Sequence, residues 1–435
     1  MSVCVVNRKP MALSLRTASE DQKTPAVHPG WVCVRGWAAV GVVILHSCIA
    51  YSSVSMPGLA WPIRDSVPGG WQISGITALM WAIEVIIMPI FLVLAGHFAM
   101  VTLNHKGGWA TIRSRMRRLG WPLIMGVCVI LPIDLYVWLV GWLSEGTITM
   151  RELRALKFHD NIDANLWGLS HLWFLPYLMT YVVGLGLLDL WACRHEKRLS
   201  NWLRCNTWSI SAIWLTSVGL IAIAPQIVWG FQHAFLPVPT KWAYCGLFFL
   251  LGAMLQSTNG MWNDISAVAS RMFPIAIMML LATVAMGQHA TDLVGMDVDA
   301  DSQRNGTWSL SVMPMTAIVL ALMTPTTAAL TTVVVLGWTN RAIRQPGRIS
   351  ASLSAASLTI YLAHHPVVAA TQIMLKTAVP MWPPLVKVTL VVVTGVGLPW
   401  LMHVMHAARA ARRDDDVGQA PRTITLPKPD IAKAA

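Results

Sequence analysis

Charge is what this sequence has least of. Asp, Glu, Lys and Arg make up 12% of its 435 residues, about half the share of a typical soluble domain. That shortage, with 55% apolar residues, excludes a soluble globular enzyme and a disordered chain. Cysteine is also sparse. The seven, Cys4, Cys33, Cys48, Cys128, Cys193, Cys205 and Cys245, all lie outside the outer loops expected below and form no CxxC pair, which excludes a disulfide framework and a zinc ribbon. Alternating strand patterns are missing, so an outer-membrane barrel is excluded. No repeat of fixed period recurs.

What is present is long apolar runs, 22 Trp and 24 Met, with a mean hydropathy of +0.56. A run of about 20 apolar residues spans a bilayer as a helix. Such runs fall at roughly 31–51, 71–103, 119–143, 171–191, 207–224, 241–256, 272–288, 310–336, 351–375 and 385–405. The fold class expected is therefore all-α, a polytopic membrane protein of about ten transmembrane helices. Residues 29–408 form the membrane domain, and 1–28 and 409–435 are read as disordered tails. Span 241–256 is short, and an alternative topology drops its hairpin.

The net charge is +12. On a soluble chain it would suggest nucleic acid; here its location decides. One set of inter-span segments (1–30, 104–118, 192–206, 257–271, 337–350 and 406–435) holds 23 Lys and Arg, and the other set holds 8. By the positive-inside rule the first set and both termini face the cytoplasm of a bacterial inner membrane. The charge is explained by topology, and nucleic acid is not an expected partner. Residues 1–30 contain Glu20 and Asp21 and do not read as a cleavable signal.

Ionisable side chains inside a membrane are expensive and are functional candidates by default. Arg35 and His46 are eleven residues apart on one helix, about 20° past three full turns with a rise of about 16 Å. The Arg lies near the cytoplasmic face and the His at depth. Ala38, Ala39 and Val42 between them are small and leave room for something thin. A cation at the mouth and a base at depth suit an anionic, elongated ligand; a snorkelling Arg with a hydrogen-bonded His is the structural alternative. Ser357, Tyr361, His364 and His365 lie on or near one stripe of span 351–375, where Pro366 weakens the backbone bonding. They line a substrate path or join helices. Glu84 either orients His46 or is a protonated, hydrogen-bonded carboxyl. Asp134 and Asp189, nearer span ends, read as solvated and structural. No HExxH-type spacing supports a metal, and none is expected. The basic stretch with Arg113, Arg115, Arg117 and Arg118 is either plain topology or a phosphate cradle.

Several stretches, in order, resemble the acyltransferase family 3 membrane proteins. Arg35 to His46 is similar to the Arg-x10-His signature. Ile90–Phe98 is similar to the FFxxSGF/Y segment, and Arg115–Pro122 to RxxRxxxP. Ser170–Leu175 resembles HLWFL, Phe248–Ala253 resembles FFxxGA, and Tyr361–Pro366 resembles YLxHHP. The last, with Tyr51-Ser52-Ser53, is nearest the glucans biosynthesis protein C branch, which succinylates periplasmic glucans. Departures are Val32 for an acidic residue, Ala95 and His97 within SGF/Y, and Glu84 where the branch tends to have His.

The resemblance implies a membrane O-acyltransferase. It implies a cytoplasmic acyl-CoA as donor substrate, no bound cofactor, and the hydroxyl of an envelope glycan as acceptor. The acyl group implied is succinyl, with acetyl as the alternative. Arg35 would anchor the donor, assisted by Arg115 and Arg118. His46 would be general base or acyl relay, with Glu84 beside it. His171, Trp173, Tyr361, His364 and His365 would line the substrate path. Membrane lipid and other glucan-biosynthesis membrane proteins are the expected neighbours. The competing class is a transporter or flippase of an anionic lipid or sugar intermediate, which often shows paired half-repeats with broken helices; none is seen.

Overall fold

A computed structural model describes residues 28–54, 61–65, 70–158, 168–195, 199–230, 234–258, 260–296 and 314–416. Eleven helices carry the architecture: α1 (Pro29–Ile49), α2 (Trp71–Lys106), α3 (Gly108–Met125), α4 (Leu131–Ser144), α5 (Phe174–Arg194), α6 (Thr207–Ile223), α7 (Pro239–Ser257), α8 (Met261–Met296), α9 (Pro314–Ala342), α10 (Arg348–Ala378) and α11 (Pro384–Asp416). Among the described residues there is no strand, and eight helical spans are long and apolar enough to cross a membrane. The protein is an all-α polytopic membrane protein. Two helices outside those eight, α6 (17 residues) and α7 (19 residues), stand where the fifth and sixth spans were expected. Lys241 and the polar ends of α7 keep its hydropathy low.

Three expected boundaries move. The basic stretch before residue 119 is helical from Gly108, and the segment expected as loop 257–271 is mostly helix, because α8 starts at Met261. Polar side chains at a helix end hide it from a hydropathy window without stopping its backbone bonding. Helix α11 likewise continues to Asp416, past the boundary expected at 408. The tail residues 1–27 and 417–435 lie outside the described residues.

Inter-helix contacts fix the relative directions. Helix α1 runs parallel to α10, since Arg35 meets Ser354 and His46 meets Gln372. Helix α11 is antiparallel to α10, through Trp400 with Ser352 and Thr371 with Thr394. Helix α3 is antiparallel to α5, and α8 to α9. The start of α1 and the end of α11 therefore share one side with the basic turns. Helices α2 and α7 run parallel and touch backbone to backbone. A Cβ on Gly96 would run into the Phe249 carbonyl, and one on Gly252 into the Val93 carbonyl. Small residues allow such close approach, which is how helices associate in lipid. At the start of α1, His28 Nδ1 accepts the Gly30 N–H at 3.2 Å, and burial lowers its affinity for a proton. The opposite side is tied by Lys387 with Asp65 (2.7 Å, Lys387 fully buried) and by Lys376 with Glu145.

Helices α3 and α4 form one continuous span broken by a wide π turn over Gly126–Ile130. Pro122 and Pro132 flank it and supply no N–H, so regular i→i−4 bonding is interrupted on both sides.

Candidate active site

Four imidazoles from three helical segments meet inside the bundle. His46 comes from the last turn of α1, His171 from the short 3₁₀ turn Ser170–Trp173, and His364 and His365 from the middle of α10. The His46 ring centroid lies 5.1 Å from that of His364 and 5.0 Å from that of His365. His171 is 5.1 Å from His364 and 4.8 Å from His365, nearly parallel to the latter at 8°.

Hydrogen bonds fix three of the tautomers. His364 Nδ1 faces the Ile360 and Tyr361 carbonyls at 3.0 and 2.9 Å. Carbonyls only accept, so Nδ1 carries the proton and Nε2 is a bare lone pair. His171 Nε2 faces the Leu362 carbonyl at 3.0 Å, so its Nδ1 is bare. That carbonyl is free because its normal helical donor would be residue 366, which is Pro. Buried His364 Nε2 and His171 Nδ1 have no partner among the described residues.

The third imidazole is held by an acid. His365 Nδ1 donates to Asp134 Oδ1 at 2.7 Å, and the Ser170 hydroxyl donates to Asp134 Oδ2 at 3.2 Å. His365 Nε2 is then the bare nitrogen. Asp134 is 4% exposed, so its expected solvated, structural reading is overturned. It sits just beyond the π turn, which rotates it inward. Ser170 holds a left-handed φ of 48°, strain of the kind that clusters at functional sites. The Tyr361 hydroxyl donates to the His171 carbonyl at 2.6 Å and so fixes the 3₁₀ turn. Gln372, 1% exposed, donates to the His46 and Ser47 carbonyls at 3.0 and 3.2 Å.

Asp134, His171 and His365 also bring one ligand atom each within 4.8 Å of one another, a spacing that metal ligands share. With the proton on His365 Nδ1, the His365–Asp134 contact is a hydrogen bond.

At the basic side three guanidiniums converge. Arg35 Nε donates to Ser354 Oγ at 3.0 Å and its Nη2 to the Ser354 carbonyl at 3.1 Å. Arg115 Nη2 donates to the Phe98 carbonyl at 3.0 Å and to Thr102 at 3.2 Å. Arg118 is close enough that its charge acts on both. Among the described residues no carboxylate pairs with any of the three. The expected gap between Arg35 and His46 is closed: Ala38 and Val42 pack with Ile87 of α2, and Ala39 packs with α10.

The structure does not bring Glu84 to His46. Its charge neighbours are Lys241, Tyr244 and Cys245 of α7. Trp173 lies on the side opposite the basic turns, with the Lys241 ammonium 4.2 Å above its ring. Asp189, also read as solvated, is 8% exposed and accepts from the Gly108 backbone at the start of α3. Ser357 bonds within its own helix, to the Ser354 carbonyl.

Fold and site together define a polytopic membrane protein with a buried acid–base centre and a cationic mouth on one side. The chain belongs to acyltransferase family 3: the family's acyltransferase domain matches residues 30–404. It is a membrane transferase that acts on acyl groups. No curated protein and no solved structure matched the chain.

Proposed function

We propose that this protein takes an acyl group from acyl-CoA at its basic, cytoplasmic side and transfers it to a hydroxyl of an envelope glycan on the other side of the bacterial inner membrane. Both chain ends then lie in the cytoplasm. Succinyl is the acyl group we assign, from the likeness of residues 361–366 to the glucan-modifying branch. The observation that carries the reading is the cluster of bare imidazole nitrogens deep in the bundle, with three guanidiniums on its basic side that pair with no carboxylate among the described residues.

Arg35, Arg115 and Arg118 hold the donor's phosphates, for which planar guanidinium forks are suited. The acceptor oxygen attacks the thioester carbonyl, and the carbon–sulfur bond breaks. His46 takes the hydroxyl proton, and His365, held in one tautomer by Asp134, accepts it next and returns it to the leaving thiolate. General-base help of this kind contributes about 10²–10⁴-fold. Burial keeps water from the thioester.

The test is transfer by the purified protein in lipid vesicles, with succinyl-CoA and a β-glucan oligosaccharide. Thiol release and an ester-linked succinyl group, seen by mass spectrometry, are expected together. Thiol release at background rate with every acyl-CoA and glycan tried would overturn the reading. A His46→Ala variant that transfers at the wild-type rate would remove His46 from the mechanism.

A further inference from the structure

The side opposite the basic turns holds a small pocket that the transfer chemistry does not use. It is lined by Leu169, Trp173, Tyr177, the segment Ala234–Val238 and Lys241. Its walls are pinned. The Val238 N–H donates to the Tyr177 hydroxyl at 2.8 Å, the Leu169 N–H donates to the Ala234 carbonyl at 3.3 Å, and the Tyr181 hydroxyl donates to the Trp242 carbonyl at 2.6 Å. Lys241 is 8% exposed, yet it makes no hydrogen bond or ion pair among the described residues. Its ammonium rests on the Trp173 face, 4.2 Å from the centroid. The Lys241 charge acts on Glu84, but the two form no ion pair.

A buried ammonium is costly unless its protons are accepted. An aromatic face offsets part of that cost and accepts no directed hydrogen bond in the pocket. Lys241 therefore has N–H donors to give, in a pocket whose Trp173 wall lies two residues from His171 on the 3₁₀ turn Ser170–Trp173.

We infer that this pocket binds an anionic group, a carboxylate or phosphate, with Lys241 as its counter-charge. Two sources present such a group here: the far end of a dicarboxylic acyl chain during transfer, or an acidic substituent on the acceptor. The inference deepens the acyl-transfer reading, and its kinetic arms rest on that reading.

The experiment compares wild type, Lys241→Gln and Lys241→Arg as full-length protein in lipid vesicles. One arm pairs succinyl-CoA with acetyl-CoA on a neutral glucan; the other pairs a glucuronate-terminated with a neutral oligosaccharide on acetyl-CoA. A lost charge-assisted hydrogen bond predicts about a 10- to 100-fold fall in kcat/KM for the charged member of one pair in Lys241→Gln. The uncharged member is little changed, and Lys241→Arg retains most of the preference. The arm that responds names the source. Equal effects on both members, or no wild-type preference in either arm, would overturn the inference. Where no pair shows transfer, calorimetry with succinate, glucuronate and glucose decides. Binding of either anion but not glucose, lost in Lys241→Gln, upholds the pocket while the acyl-transfer reading fails. Binding of neither anion, or binding that survives Lys241→Gln, overturns the pocket.

Discussion

Replacing Asp134 by Asn keeps the side-chain volume and removes only the charge and one acceptor. In the native site the carboxylate accepts from His365 Nδ1 at 2.7 Å and from the Ser170 hydroxyl at 3.2 Å, and it is 4% exposed. A hydrogen bond to a charged group is worth about 1.5–3 kcal/mol, so its loss alone lowers kcat by about 10- to 100-fold. An Asn amide that turns its NH₂ toward Nδ1 does more, because it forces the proton onto Nε2 and removes the lone pair; a wrong tautomer costs up to about 10⁴-fold in an Asp–His pair of this kind. The assay is thiol release from acyl-CoA by the purified variant, with the donor KM measured beside kcat. Donor KM is expected to stay constant, since the Arg35 mouth is about 16 Å up the helix from His46. His365→Gln should show a loss of the same size, and the double variant should lose little more, because the pair acts as a unit. An Asp134→Asn protein within about threefold of wild type in kcat would refute the dyad.

Four further outcomes are expected. Arg35→Ala should raise the donor KM about 10- to 100-fold, as loss of a charge-assisted bond to phosphate predicts; an unchanged KM would contradict the donor role. Gln372→Met removes two donors to the His46 and Ser47 carbonyls and should lower kcat about tenfold at constant donor KM; a KM change with intact kcat would argue against positioning of His46. Gly252→Ala drives a methyl into the Val93 carbonyl and should destabilise the fold by about 1–3 kcal/mol, read as a lower melting temperature in detergent. Lys387→Met leaves Asp65 buried without its partner and should cost about 3–5 kcal/mol. Lys387→Met combined with Asp65→Leu should recover most of that loss.

Much of the site was legible because membrane burial singles out polar side chains. Arg35, His46, His171, His364 and His365 stand out in apolar helices, and the structure gathers the four histidines and places Arg35 beside Arg118. Asp134 was read as solvated because it stands toward the end of the expected span 119–143, where a hydropathy window reads charge as solvated. One signal was available for the His171 contact. Pro366 withholds the N–H that the Leu362 carbonyl would normally receive, so a donor from elsewhere was to be expected at that level of α10. Glu84 was placed by depth alone, and depth does not say which neighbour a side chain faces.

Composition and hydropathy by themselves determined the class, an all-helical membrane protein, because lipid leaves the backbone no other open-ended way to satisfy its N–H and C=O groups. They also determined which loops carry the positive charge. Only the tertiary structure decided the pairing of Asp134 with His365 and the separation of Glu84 from His46. The π turn at Gly126–Ile130 breaks the 100° register that relates sequence to helix face, so Asp134 points where regular periodicity does not send it. The approach of α2 to α7 turns on Gly96 and Gly252 meeting backbone, and the Lys241 charge of α7 acts on Glu84 of α2. Both outcomes depend on the rotation of one helix against another, a quantity set by packing and absent from any single helix's sequence.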